Sequence, residues 1–276
     1  MNFAKNSVVR NWIESWKVLW LQKWYPLVSG IIDLFFLVAF GFFTGPVFDA
    51  LSRHIIIIGS LVSGALQTPA GRARPAVMGV LFQEPARQFT MQFLGLLAVL
   101  GVVVFVLYCL FQGLNWYLAK TLIGKPGKWR TFLLRFTKIN VLWFLLYAIW
   151  YVVDAVFDLR RLAIEKATGQ TASGAGIALL AVIAIMIYFA LVSYPLMSVR
   201  AGFVLGIRRF AVLVPAFVLI AVQFLAANRL LAWLAPISRT TVFVLGAIFL
   251  FVLFAWTRVF VLKIVGGEQE WCLSTH

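Results

Sequence analysis

The chain alternates between long apolar runs and short basic breaks. The clearest case covers residues 92–158. The run FLGLLAVLGVVVFVLYCL (residues 93–110) leads into a block holding Lys120, Lys125, Lys128, Arg130, Arg135 and Lys138 and no acid. The run VLWFLLYAIWYVV (residues 141–153) follows. A helix rises about 1.5 Å per residue, so about 20 apolar residues cross a hydrocarbon core about 30 Å thick. Two such runs around a basic turn predict a transmembrane helical hairpin. The same pattern recurs and predicts six spans, at about 26–48, 93–112, 139–157, 176–197, 210–227 and 241–262.

Two stretches break the pattern. In residues 7–24, Val8, Trp12, Trp16, Trp20 and Trp24 recur every fourth position, while Arg10, Asn11, Glu14 and Lys17 lie off that stripe. This predicts an amphipathic helix lying in the cytoplasmic headgroup layer. The alternative is an inward extension of the first span, and Pro26 marks the turn between them. The second stretch is IIIIGSLVSGAL, residues 55–66. It is too short to cross a bilayer and reads as a re-entrant or interfacial segment between the first two spans. The reading is therefore all-α: a polytopic membrane protein with six transmembrane helices and an N-terminal interfacial helix.

Composition strengthens this picture. The chain is 63% hydrophobic and 12% charged. Soluble domains average about 45–50% apolar and about 25% charged residues. The excess must face lipid, and no stretch is polar enough to form a soluble domain, so residues 1–276 read as a single integral membrane domain. The two cysteines, Cys109 and Cys272, have no metal-ligand company.

A net charge of +15 raises nucleic acid as a partner, but the cations fall between apolar runs, where membrane loops collect them. Fifteen of the 24 Lys and Arg residues fall on the side of the two termini and nine on the other. The dense side is expected to be cytoplasmic, with both termini there, in a cell membrane. Anionic lipid headgroups are the partner that Lys120, Lys125, Lys128 and Arg130 predict. A membrane-protein partner or a homo-oligomer is compatible with the same reading; nucleic acid is not expected.

Ionisable groups inside spans carry a cost of about 2.5–3.5 kcal/mol, so each needs a partner or a task. Asp33 shares a helix face with Gly30, Gly41 and Thr44, and Gly41 and Gly45 form a GxxxG pattern that permits close helix packing. On the second span Gln112 and Asn115 share a face. On the third, Asn140, Tyr147, Tyr151, Asp154 and Asp158 do. Matching depths predict a cytoplasmic-half cluster of Asp33, Gln112, Asn115 and Asn140, with Arg258 as counter-ion. Tyr147, Tyr151, Asp154 and Asp158 form an outer polar stripe, with Arg160 and Arg161 nearby.

This seam reads either as a pathway for a solute or ion, or as a hydrogen-bonded spine that fixes helix order. No P-loop, GxSxG or HExxH occurs, and neither a metal nor another cofactor is expected. The reading that follows is a non-enzymatic membrane scaffold, accessory or assembly component. A small transporter or channel using the Asp33 seam is the alternative. A lipid-modifying enzyme, with Asp154 and Asp158 holding a metal, is a third.

Overall fold

The computed structural model describes residues 2–67, 84, 86–124, 127–168, 175–234, 236 and 239–274. These residues form eight helices and no strand: α1 (Asn2–Leu21), α2 (Trp24–Gln67), α3 (Ala86–Ile123), α4 (Trp129–Thr168), α5 (Ala175–Leu196), α6 (Val199–Arg208), α7 (Phe210–Leu234) and α8 (Arg239–Ser274). Six of them are long and apolar enough to cross a membrane: stretches Trp24–Leu61, Ala86–Ile123, Trp129–Ala155, Gly176–Leu196, Phe210–Leu234 and Thr240–Gly266. Side chains such as Phe42, Ile177 and Phe243 are more than 70% exposed along these helices. An apolar surface of that kind belongs in lipid rather than water. The chain is an all-helical, multi-pass membrane protein.

The chain divides into two compact units, Met1–Asp33 with Phe111–His276, and Leu34–Leu110. The second unit is a pair of helical segments from α2 and α3. Within it the His54 ring lies against Phe89, and His54 Nε2 is 3.1 Å from Gln92 Oε1. In the first unit the most deeply buried helix is α8. Ala255, Trp256, Val259, Phe260, Val261 and Val265 are all fully buried. Helices α1, α5 and α7 pack against it.

Residues 55–66 are not a separate segment. α2 runs without a break for 44 residues, about 66 Å at the usual helical rise. The polar stretch after Phe48 reads as a boundary, yet its groups satisfy themselves along the helix. Arg53 Nε donates to Asp49 O, and His54 Nδ1 sits 2.8 Å from Ala50 O. Polar side chains that bond to the preceding turn leave the helix intact. Pro46 also lies inside α2.

α1 is a helix of its own, separated from α2 by a turn at Gln22 and Lys23, with Pro26 in the first turn of α2. Its apolar residues do not form one stripe. Val8 and Leu19 are buried and Trp12 and Trp16 half-buried, whereas Trp20 is exposed, as is Trp24 at the start of α2. The reason is geometric. Four residues advance a helix about 40° past a full turn, so an i+4 series drifts around the axis. Trp16 stacks on Trp256 of α8 at 5.5 Å between ring centroids, and Trp256 stacks in turn on Phe260. Lys263 Nζ donates to Glu14 Oε2 at 3.1 Å.

α6 is an element that the apolar runs do not announce. Ser198 caps it, its Oγ accepting from Ala201 N, and Met197 before it takes a left-handed backbone, φ 50°. Its glycines are packed. A Cβ on Gly202 would lie 2.9 Å from Ser193 Cα, and one on Gly206 would lie 2.8 Å from Phe189 Cε1. Gly202 and Gly206 are thus a GxxxG pair in close contact with α5, and Tyr188 Oη donates to Gly206 O. Gly41 and Gly45 do not play this part, because a Cβ on either meets nothing within 4 Å.

Candidate functional site

The polar residues of the first unit gather into a buried node around Asp33. It lies nine residues into α2, about 13 Å along the axis. Arg258 lies eight residues before Gly266, the end of its span, and Asn115 eight before Ile123, the end of α3, each about 12 Å. Helices that pass in alternate directions bring these positions to one level.

The geometry is closed. Asp33 Oδ1 accepts from Arg258 Nη2 at 3.0 Å, Gln112 Nε2 at 3.0 Å and Asn115 Nδ2 at 2.8 Å. Asp33 Oδ2 accepts from Arg258 Nη1 and Nη2, both at 3.1 Å. The pair is bidentate, the strongest arrangement for guanidinium and carboxylate. Arg258 Nη1 also donates to Ser29 Oγ, and Nη2 to Gln112 Oε1, both at 2.8 Å. Asp33 is 4% exposed and Arg258 5%. A lone charge at this depth would carry a large desolvation cost, and here each charge is neutralised and hydrogen-bonded. Asn115 Oδ1 is buried and accepts nothing among the described residues.

Of the residues expected in this cluster, Asp33, Gln112, Asn115 and Arg258 meet. Ser29 joins them without having been expected; one turn before Asp33, it reads in sequence as a small residue and nothing more. Asn140 does not join. Its Nδ2 donates to Phe136 O, and its Oδ1 accepts from Tyr194 Oη at 2.8 Å. The Tyr194 ring lies against Trp116 and Phe136. Asn140 therefore belongs to a second node that ties α4 to α5. Next to it, Trp143 Nε1 donates to Ser193 Oγ.

The outer stripe turns away from the interior. Tyr147 and Tyr151 are 48% and 60% exposed and lie against each other. Asp154 is half-buried and Asp158 exposed. The side chains of Arg160 and Arg161 lie outside the described residues. Among the described residues no three His, Cys, Asp or Glu side chains gather as a metal site would require.

The basic turn divides. Lys120 and Lys128 line a concavity with Arg135, whereas Arg130 lies outside it and rests against the Trp129 ring. Lys125 lies outside the described residues.

The fold and the node together define a multi-pass helical membrane protein whose spans are tied by buried polar groups. No protein-family model, no curated protein and no solved structure matches the chain.

Proposed function

We propose that this protein is a non-enzymatic scaffold or accessory component of the cell membrane, with both termini in the cytoplasm and anionic lipid at its basic face. The observation that carries this reading is the saturation of Asp33. Both its oxygens are occupied by Arg258, Gln112 and Asn115, so the one acid buried among the described residues serves to hold helices together. A carboxylate that handles a passing ion or proton needs a free face; this one accepts five hydrogen bonds from the protein. The orientation is supported by the excess of Lys and Arg on the side of the termini.

The transport reading has one observation in its favour. Asn115 Oδ1 is an open, buried acceptor beside a charged pair. The deciding experiment compares wild type with Asp33→Asn in proteoliposomes over a panel of ions and small solutes, alongside thermal unfolding. A spine loses stability in the variant and shows no flux in either form. Flux in wild type that disappears in a variant of unchanged stability overturns the scaffold reading in favour of transport.

A further inference from the structure

Described residues on either side of the basic turn between α3 and α4 line a basin of about 280 Å³. Lys128, Thr131, Phe132 and Arg135 line it from one side. Thr131, Phe132 and Arg135 lie in the first two turns of α4, and Lys128 stands just before the helix, its O accepting from Phe132 N at 3.1 Å. Lys120 of α3 and Met197, between α5 and α6, close it from the other sides. Phe132 is buried and lies beneath the Lys120 ammonium, 5.8 Å from Nζ to the ring centroid. Lys120 Nζ is steadied by Pro195 O at 3.3 Å. The backbone of the basin is held in place as well. Tyr117 Oη donates to Gly127 O, and Gly127 takes φ 74°, a conformation open to glycine.

Three cations and one hydroxyl thus converge on a small concavity with an aromatic wall. None of the three cations has an acidic partner among the described residues. Residues 85–153 contain no Asp or Glu at all. Like charges held this close repel, and the arrangement calls for an anion of compact, oxygen-rich shape. The volume lies just below the range of small-ligand sites, about 300–1,000 Å³, which suits a headgroup rather than a nucleotide.

We propose that the basin of Lys120, Lys128, Thr131 and Arg135 is a binding site for a single phosphate group, carried by an anionic lipid headgroup or by free phosphate. The ammonium groups supply charge, the Arg135 guanidinium a planar two-toothed contact, and Thr131 a neutral donor. The site stands on the basin's own geometry. It depends on the orientation proposed above only for which leaflet supplies the lipid.

The test uses the full-length protein in detergent micelles doped with phosphatidylglycerol, with bound lipid read by native mass spectrometry. Two double variants are compared. K128Q/R135Q removes two basin cations, and R130Q/K138Q removes two cations of the same turn that lie outside it. Lys128, Arg130, Arg135 and Lys138 are all exposed, so both variants keep the fold, which their unfolding temperatures verify. The basin variant is expected to bind the lipid roughly tenfold or more weakly, and the other variant to match wild type. Displacement of the lipid by millimolar inorganic phosphate assigns the site to free phosphate; retention assigns it to the headgroup. Equal loss in the two variants, or loss in neither, overturns the proposal, because the turn would then act as diffuse charge.

Discussion

Arg258 makes hydrogen bonds to Ser29, Asp33 and Gln112 from a position with almost no solvent. Removing it strands a buried carboxylate, and such losses run to about 3–5 kcal/mol. Arg258→Met is expected to lower stability by about that amount, read by thermal unfolding in detergent. Adding Asp33→Leu should restore part of the loss, since the stranded charge goes with it; no recovery would mean that the pair is not the source. Glycines make a second contrast. Gly202→Ala forces a Cβ to within 2.9 Å of Ser193 Cα and is expected to cost about 1–3 kcal/mol, whereas Gly41→Ala is expected to be neutral in the same assay. At this scale the sequence is readable in one dimension. Depth along a span and the face of a helix suffice to bring Asp33, Gln112, Asn115 and Arg258 together. They do not say which neighbour a face meets. Asn140 lies eleven residues into α4, at nearly the same level, and finds Tyr194 instead. Gly202 and Gly206 carry the same GxxxG pattern as Gly41 and Gly45, and only contact separates the pair that packs from the pair that does not.

Among the elements, α1 depends most on a partner. Its link to α8 is the Trp16–Trp256 stack and the Glu14–Lys263 bond. An aromatic pair contributes about 0.5–1.5 kcal/mol beyond its buried area, and a part-exposed ion pair about 0–1 kcal/mol. Trp16→Ala is therefore expected to loosen α1, seen as faster limited proteolysis of the amino-terminal segment, while Glu14→Gln changes it little. Equal effects from both substitutions would move the anchor to the ion pair. Apolar runs locate the spans because lipid demands about 20 apolar residues whatever their neighbours. Helix ends answer to other forces. α2 passes Arg53 and His54 because each finds a carbonyl one turn back. α6 arises from a Ser198 cap and two glycines, with no apolar run long enough to signal it.

For the molecule as a whole, the proposed orientation puts both ends on the cytoplasmic side of the six spans. With Cys109 and Cys272 replaced by serine, single cysteines placed at Lys17, Lys138 and Arg208 are expected to react with a membrane-impermeant maleimide from the cytoplasmic side. One at Asp158 should react from the opposite side. Labelling of Lys17→Cys and Asp158→Cys from the same side would break the six-span topology. The Asp33–Arg258 pair also sets an order in time. Its members stand 225 residues apart in the chain. At a synthesis rate of about 5–20 residues per second, Asp33 is made roughly 11–45 s before its guanidinium exists. During that interval Gln112 and Asn115 arrive as amide donors to Asp33, but the acid has no counter-charge. Arg258 is then the closing stitch. A nascent chain that stops before α8 keeps a buried charge without its counter-ion, and one that is completed has neutralised it.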